Sequence, residues 1–456
     1  MNALKYIFLL VIGLSFASCD DFLDEEPQSN LVDDAVFSNT TNVEAAVNGA
    51  YRSLVSQGYY ARNLTLATSL SAQELADPNN TNTTYIEFSN HILQPSNSII
   101  QVIWADIYFG IQAANKIIAY APDADGEQAT IDRQLAEAHF LRGLHYFNLV
   151  RLFGNVPLYL EPIVNTNSEE IHLPNSSSLE VYDQIITDLE MAENMMPEDF
   201  TKEGRASIWA VKAILAKVYL YTEDYEQAAQ RASEVINSGS FTLSEEYAPL
   251  FVNAGEMETI LEIQFNERTG YNGIRVATMP LGDPYNGQGI PLVSEFESVG
   301  DSMVYPLFSF YPEGDLRKDD MFYFQDDNYY VIKYTTNPNY DNVSLIRLPE
   351  VMLIYAEAQA RTSGSVTETA FDAFNTVRIR ANVADSIENY TSLDTFIDEV
   401  VEEKRRELLL ENESWFDYIR AGKAAEFGVT DPNYYLYPIP QAERDVNPNL
   451  DQNEGY

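Results

Sequence analysis

The chain has 456 residues, 45% of them hydrophobic, with 27 Lys plus Arg against 70 Asp plus Glu and a formal net charge of -43. That length is ample for a large core. The acidity argues against nucleic acid as a partner, because neutralising phosphates needs basic clusters. A single cysteine rules out an internal disulfide framework. Aromatics are abundant, at 30 Tyr, 23 Phe and 3 Trp, and tyrosine in excess of core needs points to a contact surface.

Residues 1–18 read as a secretory signal, with Lys5 as the basic start and Tyr6 to Leu14 as an apolar stretch too short to span a bilayer. Phe16, Ala17 and Ser18 precede Cys19, an arrangement that resembles a bacterial lipobox, although Phe16 stands where Leu is usual. Cys19 is therefore expected to be the lipidated N-terminus of a protein held to a membrane by acyl chains. Residues 19–40 read as an acidic tether, through Asp20, Asp21, Asp24, Glu25, Glu26 and Pro27. Acidic residues just after such a cysteine resemble the surface-export signals of some Gram-negative lipoproteins. Residues 41–456 are expected to form a single domain.

Asn42 to Ser56 carries apolar residues on a 3.6-residue period, and residues 59–98 carry little helical signal. This second stretch holds a run rich in turn formers, Asp77 to Tyr85, and a long irregular excursion of this kind is usually functional. Ile99 to Ala121 predicts a helix stopped by Pro122. Residues 134–153 are apolar almost all round, which marks a buried helix, and Gly154 and Pro157 end it. Leu179 to Met195 predicts an amphipathic helix. From Ala206 to Ile236 the pattern is helix, tight turn, helix, with Ala216, Ala228 and Ala232 small where two helices approach; the spacing matches a tetratricopeptide-type repeat. The expected hairpins are thus 42–121, 134–195, 206–237 and 349–381, stacked so that each buries its neighbour's face. Between the last two, residues 240–345 read as loop-rich with short strands at 260–265 and 329–334. Leu393 to Ala424 predicts one long charged helix, laced by its own pairs at i,i+3 and i,i+4. The fold class is mainly α, a scaffold of four helical hairpins beside an irregular half with short β-strands.

Seven blocks together resemble the SusD/RagB family of outer-membrane nutrient-binding lipoproteins. They are Ala136-Glu-Ala-His-Phe-Leu-Arg142, Arg151-Leu-Phe-Gly-Asn-Val-Pro157, Ala213-Ile-Leu-Ala-Lys-Val-Tyr-Leu220, Arg347-Leu-Pro-Glu-Val-Met-Leu-Ile-Tyr-Ala-Glu-Ala358, Asn375-Thr-Val-Arg-Ile-Arg-Ala381, Glu407-Leu-Leu-Leu-Glu411 followed by Trp415-Phe-Asp-Tyr-Ile-Arg420, and the end from Tyr437-Pro-Ile-Pro440 to Gln452-Asn-Glu-Gly-Tyr456. Lys404 stands where the family usually has Arg, and Asn412 where it usually has Gly. The resemblance implies a lipid-anchored lid over a SusC-like TonB-dependent transporter, capturing oligosaccharides or polysaccharides at the surface of the outer membrane. The RagB branch implies the alternative, a peptide- or protein-binding lipoprotein on the same scaffold. The family's ligand residues lie in variable loops, so the matching blocks transfer none.

No P-loop, nucleophile elbow, zincin motif or Cys/His set is present, so no catalysis is expected. His139 and His145 lie six apart on the buried helix and do not share a face, so both are expected to be core residues. Trp104 and Trp209 fall in helical patterns and are expected inside, and Trp415 lies among scaffold residues. No cofactor is expected. The acidic runs Asp315 to Asp320 and Gln325 to Asn328 carry the oxygen ligands that Ca²⁺ takes but match no EF-hand pattern, which favours solvated loops. A sugar site needs flat aromatic faces for C–H stacking and Asn, Asp or Arg for hydroxyls. The irregular stretches supply that mixture in Tyr59, Tyr60, Asp77, Asn79, Asn80, Tyr85 and Phe88, then Tyr271, Asn272, Tyr285 and Asn286. Long loops on a rigid scaffold commonly carry function, and these residues are the expected ligand contacts.

Overall fold

The first helix, α1 (Thr40–Tyr51), starts at Asn39, whose side chain accepts from the Asn42 N–H. This cap satisfies one of the amides that a first turn leaves free. The computed structural model describes residues 36–77, 81–164, 171–247, 257–270, 273–274, 295–296, 307–325, 328–334 and 340–456. Two short helices, α2 (Asn63–Ser71) and α3 (Thr83–Ser89), occupy the stretch expected to be irregular. The sequence hides α2 because Ser and Thr are indifferent helix formers. Burial overrides that preference: every residue from Leu64 to Ser71 is buried, and the Thr68 hydroxyl donates to the Leu64 carbonyl at 3.0 Å.

Then come α4 (Ser98–Tyr120) and α5 (Gln128–Phe153). Every residue of α5 from Gln134 to Phe153 is buried, as its pattern predicts. Gly154 ends it at φ +70, a left-handed position that favours glycine. A buried helix must satisfy its own polar side chains, and this one does so on its neighbours. Asp188 of α6 (Ser178–Met195) accepts from Arg142 Nε at 2.9 Å and Nη2 at 2.7 Å, and lies 2.7 Å from His139 Nδ1. Burial alone would raise the Asp188 pKa; the bonds from His139 and Arg142 outweigh it and hold it low. His145 lies beside Ser53 Oγ at 3.2 Å, and burial lowers its pKa to about 3, so it is neutral. Ser177 and Glu180 close a capping box at the start of α6.

The repeat at 206–236 is α7 (Ile208–Tyr221) and α8 (Tyr225–Ile236), with Ala216, Ala228 and Ala232 fully buried at their contact. Strand β1 (Thr259–Ile263) and the two-residue β2 (Glu295–Phe296) follow. Next come the short helices α9 (Leu307–Phe310) and α10 (Arg317–Met321), then β3 (Phe322–Gln325), β4 (Asn328–Val331) and β5 (Val343–Arg347). β1 pairs antiparallel with β5, from Thr259 opposite Arg347 to Ile263 opposite Val343. The other sheet has the order β2-β4-β3, also antiparallel. The fourth hairpin is α11 (Leu348–Ser363) with α12 (Glu368–Arg380). Neighbours pack in succession, α1 on α4, α4 on α5, α5 on α6, α6 on α7, α7 on α8, α8 on α11 and α11 on α12. One apolar cluster runs from Phe37 to Leu450, and a second joins α11 and α12 to the helix that follows them.

The expected single helix from Leu393 to Ala424 is two: α13 (Leu393–Glu407) and α14 (Ser414–Arg420). Between them Leu410 and Asn412 adopt φ of +59 and +71. Asn tolerates that left-handed region best after glycine. The charges of α13 are not a solvated surface either. Glu403, Lys404, Arg406 and Glu407 are buried. Glu407 pairs with Arg317 at 3.0 Å and also with Arg347 and Arg380. Glu403 pairs with Arg317 at 2.7 Å and Arg378 at 3.0 Å. Burial pushes these carboxyls up, and the guanidiniums outweigh it and hold both pKa values below the ordinary range. Contacts of the expected short-range type are Arg406–Glu403 in α13 and Arg420–Asp417 in α14, both at i,i+3 and 3.1 Å. The last helix, α15 (Gln441–Val446), packs back on α4.

Candidate functional site

The expected contacts separate into three groups. Tyr59 and Tyr60 are buried against α5, where Asn148 Nδ2 donates to both hydroxyls at 2.5 and 2.7 Å. Burial raises both phenol pKa values, Tyr59 the further. With their rings packed inside and their hydroxyls engaged, neither can stack on a ligand; they anchor the loop that carries them. Phe88 is likewise internal, edge-on to Tyr437 at 5.4 Å. Asp77 and Tyr85 form the second group, at the surface. The Asp77 carboxylate accepts from the backbone N–H groups of Thr81 at 2.9 Å and Asn82 at 2.8 Å, which ties the ends of that loop. The half-buried Tyr85 offers its hydroxyl to Arg62 Nη2 at 2.8 Å. Asn79, Asn80, Tyr271, Asn272, Tyr285 and Asn286, like Cys19, lie outside the described residues.

The two expected loop regions do meet. The Gly273 N–H donates to the Ala61 carbonyl at 2.8 Å. A Cβ at Gly273 would fall 2.1 Å from Gln57 Oε1 and 3.2 Å from Arg62 Cβ, so a larger residue would push the Gln57 side chain aside at this crossing. Arg62 sits at the junction. Its Nε has no hydrogen-bond partner, and no carboxylate faces its guanidinium among the described residues. α1, the 203–204 turn, β1 and the turn at 266–270 border a cavity of about 280 Å³. Tyr51, Arg52, Glu203, Gln264 and Arg268 line it among others. Arg52 and Arg268 are exposed and form no ion pair among the described residues. Sequence reasoning missed these three arginines because it weighed tyrosines; the signal was their scarcity, with 27 basic against 70 acidic residues.

A second aromatic group lies on the small sheet. Phe308 and Tyr329 stack with centroids 4.0 Å apart and planes at 12°, Phe324 leans on Tyr329 at 4.8 Å, and Lys318 Nζ lies 4.0 Å over the Phe308 ring. Phe324 is 55% exposed, a large apolar ring left on the surface of the loop-rich half. Lone exposed rings are ordinary; a stacked set is a platform for a flat ligand face.

Among the described residues no group of three His, Cys, Asp or Glu side chains is placed to hold a metal ion. Asp315 is no solvated loop residue: it is buried and paired with Arg317 at 2.7 Å. No helix among the described residues is long and apolar enough to cross a membrane. The arrangement brings polar and aromatic groups to a surface, and among the described residues it assembles no nucleophile, base or oxyanion site.

Residues 21–220 match the family described as "Starch-binding associating with outer membrane", and residues 320–431 match the SusD family. A SusD-like protein of Formosa agariphila is 28% identical over 99% of this chain and all of its own length. The starch-binding protein SusD of Bacteroides thetaiotaomicron is 27% identical over 71% of this chain and 73% of its own. Among solved structures, a SusD superfamily protein of Parabacteroides distasonis superposes with a TM-score of 0.79 at 25% identity, covering 91% of this chain and 99% of its own. A laminarin-binding SusD-like protein superposes at 0.77 with 26% identity, covering 92% of this chain and 100% of its own.

Proposed function

We infer the function from one premise: the chain belongs to the SusD/RagB family, one of whose matching models is described as starch-binding and associated with the outer membrane. We propose that it captures an oligosaccharide or polysaccharide at the cell surface and delivers it to a SusC-like TonB-dependent transporter, anchored through a lipid on Cys19. One observation carries the ligand side of this reading. The loop at 57–62, the helix bearing Tyr85 and the segment at 273 converge on Arg62, which meets no carboxylate among the described residues. A half-buried guanidinium beside tyrosine, with its Nη edge unpaired by any carboxylate among the described residues, is suited to orienting vicinal hydroxyls. Starch and laminarin, the ligands in two relatives' names, are both glycans.

Calorimetry of the full chain in detergent against a panel of oligosaccharides and a panel of peptides tests the ligand class. Binding to at least one glycan is expected, in the millimolar-to-micromolar range, or about -4 to -8 kcal/mol. Binding confined to peptides overturns the glycan reading in favour of the RagB-like alternative. Membrane release of a Cys19→Ala variant, and co-purification of a transporter with the wild type, test the anchor and the delivery step.

A further inference from the structure

A second cavity, of about 280 Å³, opens between α4, the segment after α5, and α15. Its walls include Trp104, Tyr108 and Gln112 from α4, Tyr159 from the segment, and Glu443 and Val446 from α15. None of these six lies in the two loop regions of the candidate site.

The wall is rigid. Tyr108 donates its hydroxyl to the Pro157 carbonyl at 2.9 Å, and Tyr159 donates to the Ile171 carbonyl at 2.6 Å. The two rings meet edge to face with centroids 5.6 Å apart, and Trp104 lies 4.9 Å from Tyr108. The hydroxyls are thus engaged by backbone, and what the cavity meets is ring surface.

Two polar groups on this wall lack partners among the described residues. The Gln112 oxygen accepts from the Ile163 N–H at 2.9 Å, but its Nε2 is buried with no acceptor. The Glu443 carboxylate is half-buried and accepts no hydrogen bond; burial raises its pKa, and its charge helps to raise those of Tyr108 and Tyr159. An unmet buried donor is costly and uncommon in native structures. Both residues line one aromatic cavity.

Ligand chemistry follows from that pairing. An ammonium would satisfy Glu443 and leave the Gln112 donor unmet. A carboxylate or sulfate would meet Glu443 as a like charge. A hydroxylated ring satisfies both, with one hydroxyl donating to Glu443, another accepting from Gln112, and its C–H faces on the aromatic wall. The volume lies at the small end of ligand pockets, which suits one ring rather than a chain segment. We propose that this cavity is a second carbohydrate site, taking a single neutral pyranose ring between Gln112 Nε2 and the Glu443 carboxylate. Two sites on one chain hold a polysaccharide by effective concentration, without either being tight. The inference does not depend on the loop site.

Saturation-transfer NMR on the full chain in detergent tests it, with the methyl glycosides of glucose, galactose, mannose and xylose, and with glucosamine. Trp104 fluorescence serves as the local readout. Transfer to the ring protons of at least one neutral glycoside is expected, with an affinity in the millimolar range. Val446→Arg, which fills the mouth from an exposed position, and Glu443→Ala should each weaken it by about tenfold or more at an unchanged melting temperature. Tyr85→Ala, at the loop site, should leave the Trp104 response to the glycoside unchanged. The proposal is overturned if no neutral glycoside binds by about 50 mM, well above a weak millimolar constant. It is equally overturned if glucosamine alone binds, if both cavity variants bind normally, or if Tyr85→Ala abolishes the Trp104 response.

Discussion

Arg317, Arg347 and Arg380 converge on Glu407, whereas Arg52, Arg62 and Arg268 meet no carboxylate among the described residues. The first three, from α10, β5 and α12, are buried against α13, where Glu258, Glu403 and Glu411 complete the array. Of the second three, Arg62 lies at the crossing of two loops, and Arg52 and Arg268 line the cavity between α1, β1 and the turn at 266–270. The chain carries far more acidic than basic residues, so a cation without a carboxylate is the exception. A buried ion pair gains little over a well-packed apolar pair, but breaking one strands a charge in the interior. Around Glu407 the charges are therefore fixed against each other. The loop crossing has left its donors open.

The largest expected effect breaks the helical side of this contrast. Glu407→Gln should destabilise the fold by about 3–5 kcal/mol, because three guanidiniums lose a shared partner, and denaturant unfolding would show it. Glycan affinity of the folded protein should not change. A loss under about 1 kcal/mol would mean that the array is a surface-like set of pairs.

Acid should erase that difference. The Glu407 pKa is depressed below its ordinary 4.5, so its contribution is present above the unfolded value and is lost as pH falls toward the folded value. The unfolded chain binds the proton first, at up to about 1.4 kcal/mol per pH unit. The stability gap between wild type and Glu407→Gln should therefore narrow as pH drops from 5 to 3. Taking the gap cancels the relief of general acidic repulsion; a gap that stays constant over this range would contradict the pairing.

On the loop side, Arg62→Ala should lower glycan affinity by roughly 10- to 100-fold, the equivalent of about 1.5–3 kcal/mol for a charged hydrogen bond. Its melting temperature should stay close to that of the wild type. Smallest of all, Tyr60→Phe should lose about 1 kcal/mol of stability with its Asn148 bond and bind glycan normally. Weakened binding in that variant would restore Tyr60 to the site.

The contrast also marks what a sequence can carry. The all-round apolar helix at 134–153, its stop at Gly154 and the small-residue hairpin at 206–236 are local patterns, and the fold repeats them. The burial of α13 was not legible, because mixed signs at i,i+3 and i,i+4 read as a solvated face. Its partners Arg317, Arg347 and Arg380 lie 90, 60 and 27 residues away. The break before α14 has neither Gly nor Pro to announce it, and Asn412 was its one local trace. Tyr59 and Tyr60 follow Gly58 and read as loop residues. Their partner Asn148 is 89 and 88 residues on, so only the packed structure turns them inward. Arg62 was legible only as a member of a scarce class, and its lack of a carboxylate is a tertiary fact.

The most direct test is calorimetric titration of the glycan that binds best, wild type beside the double variant Arg62→Ala/Tyr85→Ala. The account predicts that binding at the loop crossing is lost while the thermal melt stays unchanged. Undiminished affinity in the double variant would contradict it and move the site elsewhere on the molecule.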